Sequence, residues 1–194
     1  SDILGSYYEQ ETPHQYQNRY GSSLIQIETE VSDITGNLDY FPENILQILK
    51  LAGEVAEKHE SKLFLIGGMV RDLLLERPNY DLDIVIEGDL REFLMDFREQ
   101  IEGKVTYNEQ FGTATVELNS EYSLDFATTR KEKYHYPGAL PEVEKTNILE
   151  DLFRRDYTVN ALALALNPDK WGMLYDFFQG ERDLKKRLLR ALHR

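Results

Sequence analysis

The chain has 194 residues, 41% of them hydrophobic and 11% aromatic, and carries a net charge of -13. Its length suits one substantial core or two small ones, its composition excludes a disordered chain, and its charge excludes wholesale coating of nucleic acid. The absence of cysteine excludes disulfides and thiolate metal sites and fits a reducing, cytoplasmic setting; the apolar runs are too short to span a membrane, and no basic-then-apolar secretory segment opens the chain.

Residues 1–40 read as an extension or linker. The stretch "SYYEQETPHQYQNRYGSS" is polar and tyrosine-rich, with no sustained period. In "FPENILQILKLAGEVAEKHE", Ile45, Ile48, Leu49, Ala52, Val55 and Ala56 follow the spacing of an amphipathic helix that starts near Pro42. "KLFLI" is a buried strand bounded by Gly67-Gly68, "MVRDLLLE" a helix stopped by Pro78, and "DLDIVIE" a second strand closed by Gly88. "LREFLMDFREQI" has helical spacing as far as Ile101, and "KVTYN", "GTATVEL" and "YSLDFAT" are three further strands joined by short turns. A loop containing Pro137-Gly138 and Pro141 runs from Arg130 to about Asn147. "ILEDLFRRDYTVNALALAL" reads as helical, in one or two pieces, and "GERDLKKRLLRALHR" opens a last helix with an apolar stripe of Leu184, Leu188, Leu189 and Leu192. Acids dominate residues 1–60, whereas bases outnumber acids over 151–194.

Chemistry concentrates in four places. Asp81 and Asp83 stand two apart at the mouth of a strand, so they share one face about 6–7 Å apart and, at an effective dielectric near 20, repel by roughly 2–3 kcal/mol. A divalent cation removes that cost, and an all-oxygen donor set favours Mg²⁺ or Mn²⁺. Gly67-Gly68 ends a strand and begins a helix, where backbone can approach a ligand closely and free N–H groups attract phosphate. Asp125 lies inside an apolar strand, a costly place for an acid without a partner. In "RRDYTVNALA", Arg155 and Asp156 begin an apolar helix with Asn160 one turn on; Arg155 could grip a triphosphate, while Asp156 could cap the helix or orient Arg155. Each feature alone also reads as ordinary structure: solvated aspartates at a strand start, a plain strand–helix turn, a strand-end acid in water, a helical start with ion pairs. Together, a phosphate-seeking turn beside a metal-seeking pair suggests a nucleotide triphosphate bound through Mg²⁺. The four histidines are scattered, without ligand spacing.

Gly67-Gly68-Met69-Val70-Arg71-Asp72, then Asp81-Leu82-Asp83, then Asp125 on its own strand, then Arg154 to Ala161 resemble, in that order, the class II tRNA nucleotidyltransferase and bacterial poly(A) polymerase family, over about residues 60–190. The resemblance implies an α/β (α+β) fold, the polymerase beta-like nucleotidyltransferase head: a small mixed sheet with helices packed on it. It divides the chain into an extension over 1–40, the head over 41–166, and the end of the head with the start of a helical neck over 167–194. It implies that Asp81 and Asp83 hold two Mg²⁺ ions with Asp125 as third carboxylate, that Gly67, Gly68 and Arg71 contact the nucleotide, that Arg155 contacts its triphosphate, and that Asp156 and Asn160 shape the ribose site. The activity implied is template-independent addition of CMP and AMP from CTP and ATP to the 3′ end of tRNA.

The family's base-selecting E-D-x-x-R motif follows the last helix and is not among these residues. The motifs present are common to CCA-adding, CC-adding, A-adding and poly(A)-making relatives. The resemblance leads one to expect a chain that folds but needs neck and body regions, from the same chain, a separate chain or a second copy, to choose bases and hold tRNA. A reading of another class is a binding or regulatory module that keeps the fold without turnover; the full set of three acids speaks against it.

Overall fold

A computed structural model of the protein describes residues 29–77, 79–118, 122–133 and 142–193 and the two short stretches 16–17 and 24–25. In chain order the strands are β1 (Tyr16–Gln17), β2 (Leu24–Ile25), β3 (Glu30–Asp33), β4 (Lys62–Ile66), β5 (Leu82–Glu87), β6 (Lys104–Asn108), β7 (Thr113–Glu117), β8 (Ser123–Thr128), β9 (Arg130–Lys133), β10 (Glu142–Lys145), β11 (Leu162–Ala165) and β12 (Met173–Asp176). The α-helices are α1 (Glu43–Lys58), α2 (Gly68–Leu74), α3 (Leu90–Phe97), α4 (Ile148–Phe153) and α5 (Gly180–Lys185).

Eight strands form one sheet in the order β3-β12-β11-β4-β5-β8-β7-β6, and every neighbouring pair in it is antiparallel except β5 and β8. A parallel pair needs a long crossover; α3 and the β6–β7 hairpin supply it. On one face, α1 and α3 bury Ile45, Leu49, Phe93 and Phe97 against Leu63, Ile84, Ile86 and Phe126. On the other, α4 lays Ile148, Leu149 and Leu152 over Phe64, Ile66, Val85 and Ala163. Side chains alternate along a strand, so Asp83 lies on the α4 face with Val85.

The mixed α/β head with helices on its sheet is the architecture expected, but several elements differ from the sequence reading. "ALALAL" is not helical: Leu162–Ala165 is β11, buried on both faces between β4 and β12. Alanine and leucine favour helices, and a central slot in the sheet overrides that preference. The segment before it splits into α4 and a single 3-10 turn at Thr158–Asn160. α3 stops at Phe97 rather than near Ile101. The expected last helix is only α5, which closes where Arg187 turns left-handed (φ 55); Leu188 and Leu189 are exposed beyond it, while Leu192 is buried, so the four leucines form no single stripe. β3, from the stretch read as an extension, is an edge strand of the sheet. The expected loop begins and ends as the antiparallel hairpin β9–β10; Pro137-Gly138 and Pro141 lie outside the described residues, as does Pro78.

Candidate active site

The parallel pairing of β5 with β8 sets Asp83 directly beside Asp125. Asp81 sits just ahead of β5, its N–H held by the Asn79 side chain at 2.9 Å, and its own carbonyl accepts from Asp83 N–H at 3.1 Å. Carboxylate oxygens of Asp81, Asp83 and Asp125 all lie within 4.8 Å of one another. Asp83 is half-buried, and burial, then the charges of Asp81 and Asp125, push its carboxyl above the ordinary range against the pull of Arg155. Three carboxylates crowded against a single arginine are unfavourable, and oxygen donors at this spacing fit a hard divalent cation.

Gly67 joins β4 to α2 with φ 78 and ψ -150, a conformation for which glycine alone is suited. A Cβ there would come 3.4 Å from Arg155 Nη1 and 3.8 Å from Asp83 Oδ2, so the guanidinium and the triad meet at this turn. Gly68 faces Arg71, whose Nη2 lies 3.3 Å from the place of a Cβ. Arg71 donates to Asp72 at 2.8 Å and to Asn160 Oδ1 at 2.9 Å, and Asn79 donates to Asp72 at 2.7 Å. Burial raises the Asp72 carboxyl, but these two hydrogen bonds and the Arg71 and Arg77 charges outweigh it and hold it below the usual range.

Arg155 does not begin a helix. It follows α4, and Asp151, one helical turn earlier, supports it from beneath. Asp151 is fully buried; its Oδ1 accepts from Arg154 Nη2 and the Arg130 N–H, each at 3.2 Å, and its Oδ2 lies 3.9 Å from Arg155 Nη2. Burial lowers the pKa of Arg155 against the attraction of Asp151 and Asp83, and its Nε is buried with no hydrogen-bond acceptor among the described residues. A cation so held is ready for an anion.

The structure thus brings Gly67, Gly68, Arg71, Asp81, Asp83, Asp125, Arg155 and Asn160 around one mouth. Asp156 caps no helix, since the following 3-10 turn has Tyr157 at its N-cap position, and its carbonyl accepts from Leu192 N–H at 2.9 Å. Sequence reasoning missed Thr115, whose hydroxyl donates to Asp125 Oδ1 at 2.6 Å; only strand register reveals it. It also missed Asp151, although the spacing to Arg154 and Arg155 was a readable signal.

Residues 63–190 match the family model of the poly(A) polymerase head domain. The chain is 45% identical over 148 residues to an A-adding tRNA nucleotidyltransferase of Halalkalibacterium halodurans, covering 76% of this chain and 35% of the relative. It is 37% identical over 134 residues to a CC-adding tRNA nucleotidyltransferase of Deinococcus radiodurans, covering 69% and 36%. Among solved structures, the Thermotoga maritima CCA-adding enzyme complexed with tRNA is similar at a TM-score of 0.73 and 35% identity, over 87% of this chain and 37% of that one. The chain spans about a third of the length of these proteins.

Proposed function

Because this chain belongs to the poly(A) polymerase head-domain family, we propose that it is the catalytic head of a nucleotidyltransferase that adds CMP or AMP, from CTP or ATP, to the 3′ end of tRNA without a template, in the cytoplasm. The observation that carries this reading is the meeting of Asp83, Gly67 and Arg155 at one turn, beside two further carboxylates. Asp81 and Asp83, with Asp125 as third carboxylate, would hold the catalytic metal, two Mg²⁺ ions or Mn²⁺ in their place. When bound, such ions lower the pKa of the RNA 3′-hydroxyl and neutralise charge on the leaving pyrophosphate. The chain's own residues do the rest. Gly67 and Gly68 let the triphosphate lie close to backbone, and Arg155 meets its negative charge. Arg71 and Asn160, already hydrogen-bonded to each other, form the ribose wall, and Asp156 flanks it.

None of these contacts distinguishes cytosine from adenine. Base choice, and with it the decision among CCA, CC or A addition and poly(A) synthesis, falls to groups beyond this mouth, in a neck and body region or a partner chain. The test uses the protein carrying these residues, a tRNA lacking its terminal CCA, Mg²⁺ and labelled CTP or ATP. Mg²⁺-dependent labelling of the 3′ end is expected, with loss in Asp81→Ala and Asp83→Ala while both variants stay folded. Near-normal turnover in either variant overturns the metal assignment.

A further inference from the structure

Thr115 stands in the middle of β7, directly opposite Asp125 in the antiparallel pairing, and its hydroxyl donates to Asp125 Oδ1 at 2.6 Å. Asp125 is exposed, so neither group needs this bond to avoid burying an unsatisfied atom; water would serve both. Among the described residues, Asp125 is also the triad member whose carboxylate a hydroxyl holds. The bond fixes an otherwise free side chain on the side of β8 away from β5 and leaves the remaining lone pairs of Asp125 to the side of Asp81 and Asp83.

We propose that Thr115 is a positioning residue for metal binding: its hydroxyl sets the orientation of Asp125 before the cation arrives. An exposed aspartate must give up rotamer freedom when it ligates, and a partner that has already fixed it lowers that cost. Hydrogen-bond partners of metal ligands are worth about 10-fold or more in affinity. The inference rests on the reading of the triad as a metal site, and it concerns the hydroxyl alone.

Two substitutions separate the hydroxyl from the shape of the side chain. Thr115→Val keeps the β-branched form that suits a strand and removes the donor; Thr115→Ser keeps the donor and gives up the branching. Mn²⁺ binding to the nucleotide-free protein is read by electron paramagnetic resonance, with Asp125→Asn as control and thermal melting of the metal-free forms alongside. The expected result is about 10-fold weaker Mn²⁺ binding in Thr115→Val with an unchanged melting temperature, near-native binding in Thr115→Ser, and weakened binding in Asp125→Asn. In the protein with its tRNA and nucleotide substrates, Thr115→Val shifts the Mg²⁺ concentration for half-maximal rate upward and retains the rate at saturation. Native Mn²⁺ binding in Thr115→Val beside weakened binding in Asp125→Asn overturns the role of Thr115 alone. Native binding in both overturns the triad as a metal site, and the proposal with it.

Discussion

The charge of Asp83 is costly, because it is half-buried beside Asp81 and Asp125 and the pull of Arg155 does not offset burial and those charges. Its carboxyl pKa is raised above the ordinary 3.8, so between those two values the folded chain binds more protons than the unfolded one. Stability without metal therefore falls as pH rises through that window and stays lower above it. Asp83→Asn removes the titrating group and keeps the shape. The metal-free variant is expected to melt higher than the native chain at pH 7, to lose that advantage as pH falls below the window, and to show none of the stabilisation by Mn²⁺ expected of the native chain. Calorimetry between pH 3 and pH 8 with and without Mn²⁺ decides it; a variant that melts lower at pH 7 would mean that Arg155, rather than the other carboxylates, dominates the environment of Asp83.

At the scale of elements, α1 approaches the backbone leaving β11 so closely that a Cβ on Gly53 would sit 1.9 Å from Leu166 O. Helix propensity favours alanine over glycine by about 1 kcal/mol, whereas forcing apart a packed contact costs about 1–3 kcal/mol or more. Gly53→Ala is therefore expected to lower the urea midpoint despite its better propensity, and a raised midpoint would contradict the contact. Three helices end alike, with a non-glycine residue in left-handed conformation at Glu60, Glu76 and Arg187. In each, the following N–H reaches back five residues, as Ser61 to Ala56 O, Arg77 to Asp72 O and Leu188 to Asp183 O, the hydrogen-bonding of a Schellman cap. Glu60 is exposed, so Glu60→Gly is expected to relieve the strain and stabilise by about 0.5–1 kcal/mol, seen as a higher urea midpoint at unchanged slope. These caps explain part of what the sequence hid. Without glycine at position 187, nothing local announced that the last helix stops there, and Ala and Leu in β11 carried a helical preference that only the neighbouring strands overrule. By contrast α1 and β4 to β8 were legible, because their apolar spacing and their bounding glycines agree with the packing. The site was legible in its residue types, since carboxylates and paired glycines are costly without a reason. Its partner Thr115 was not legible, because strand register decides what that side chain touches, whereas the spacing of Asp151 to Arg154 and Arg155 was a signal that only the docking of α4 ties to the site.

Over the whole molecule, one sheet brings acids from β5 and β8 to Arg155, which follows α4 well beyond both strands in the chain, and the segment bearing that arginine is strapped at its far side. Tyr157 bridges Ala191, Thr158 N–H donates to Arg190 O at 3.0 Å, and the buried Asp183 accepts from Thr158 Oγ1 at 2.7 Å and Arg190 Nε at 2.8 Å. The site sets two arginines, Arg71 and Arg155, beside the three carboxylates within a chain of net charge -13, and the near arginines and the distant acids act over different ranges. At about 10 mM salt the screening length is about 30 Å, comparable with the domain itself, and a free nucleotide triphosphate is repelled by the whole surface. At about 0.15 M the length is about 8 Å, the distant acids are screened, and the nearby arginines are felt through a short, partly buried path. Binding of CTP in the presence of a chelator is therefore expected to tighten as salt rises from about 10 mM to about 0.15 M and to weaken again at higher salt. Mg²⁺ should flatten this curve and tighten binding throughout, because it neutralises both the triad and the phosphates. Titration calorimetry across the salt series makes the comparison. Steady weakening from the lowest salt upward, as at a basic surface, would show that the local arginines outweigh the acidic field at every range.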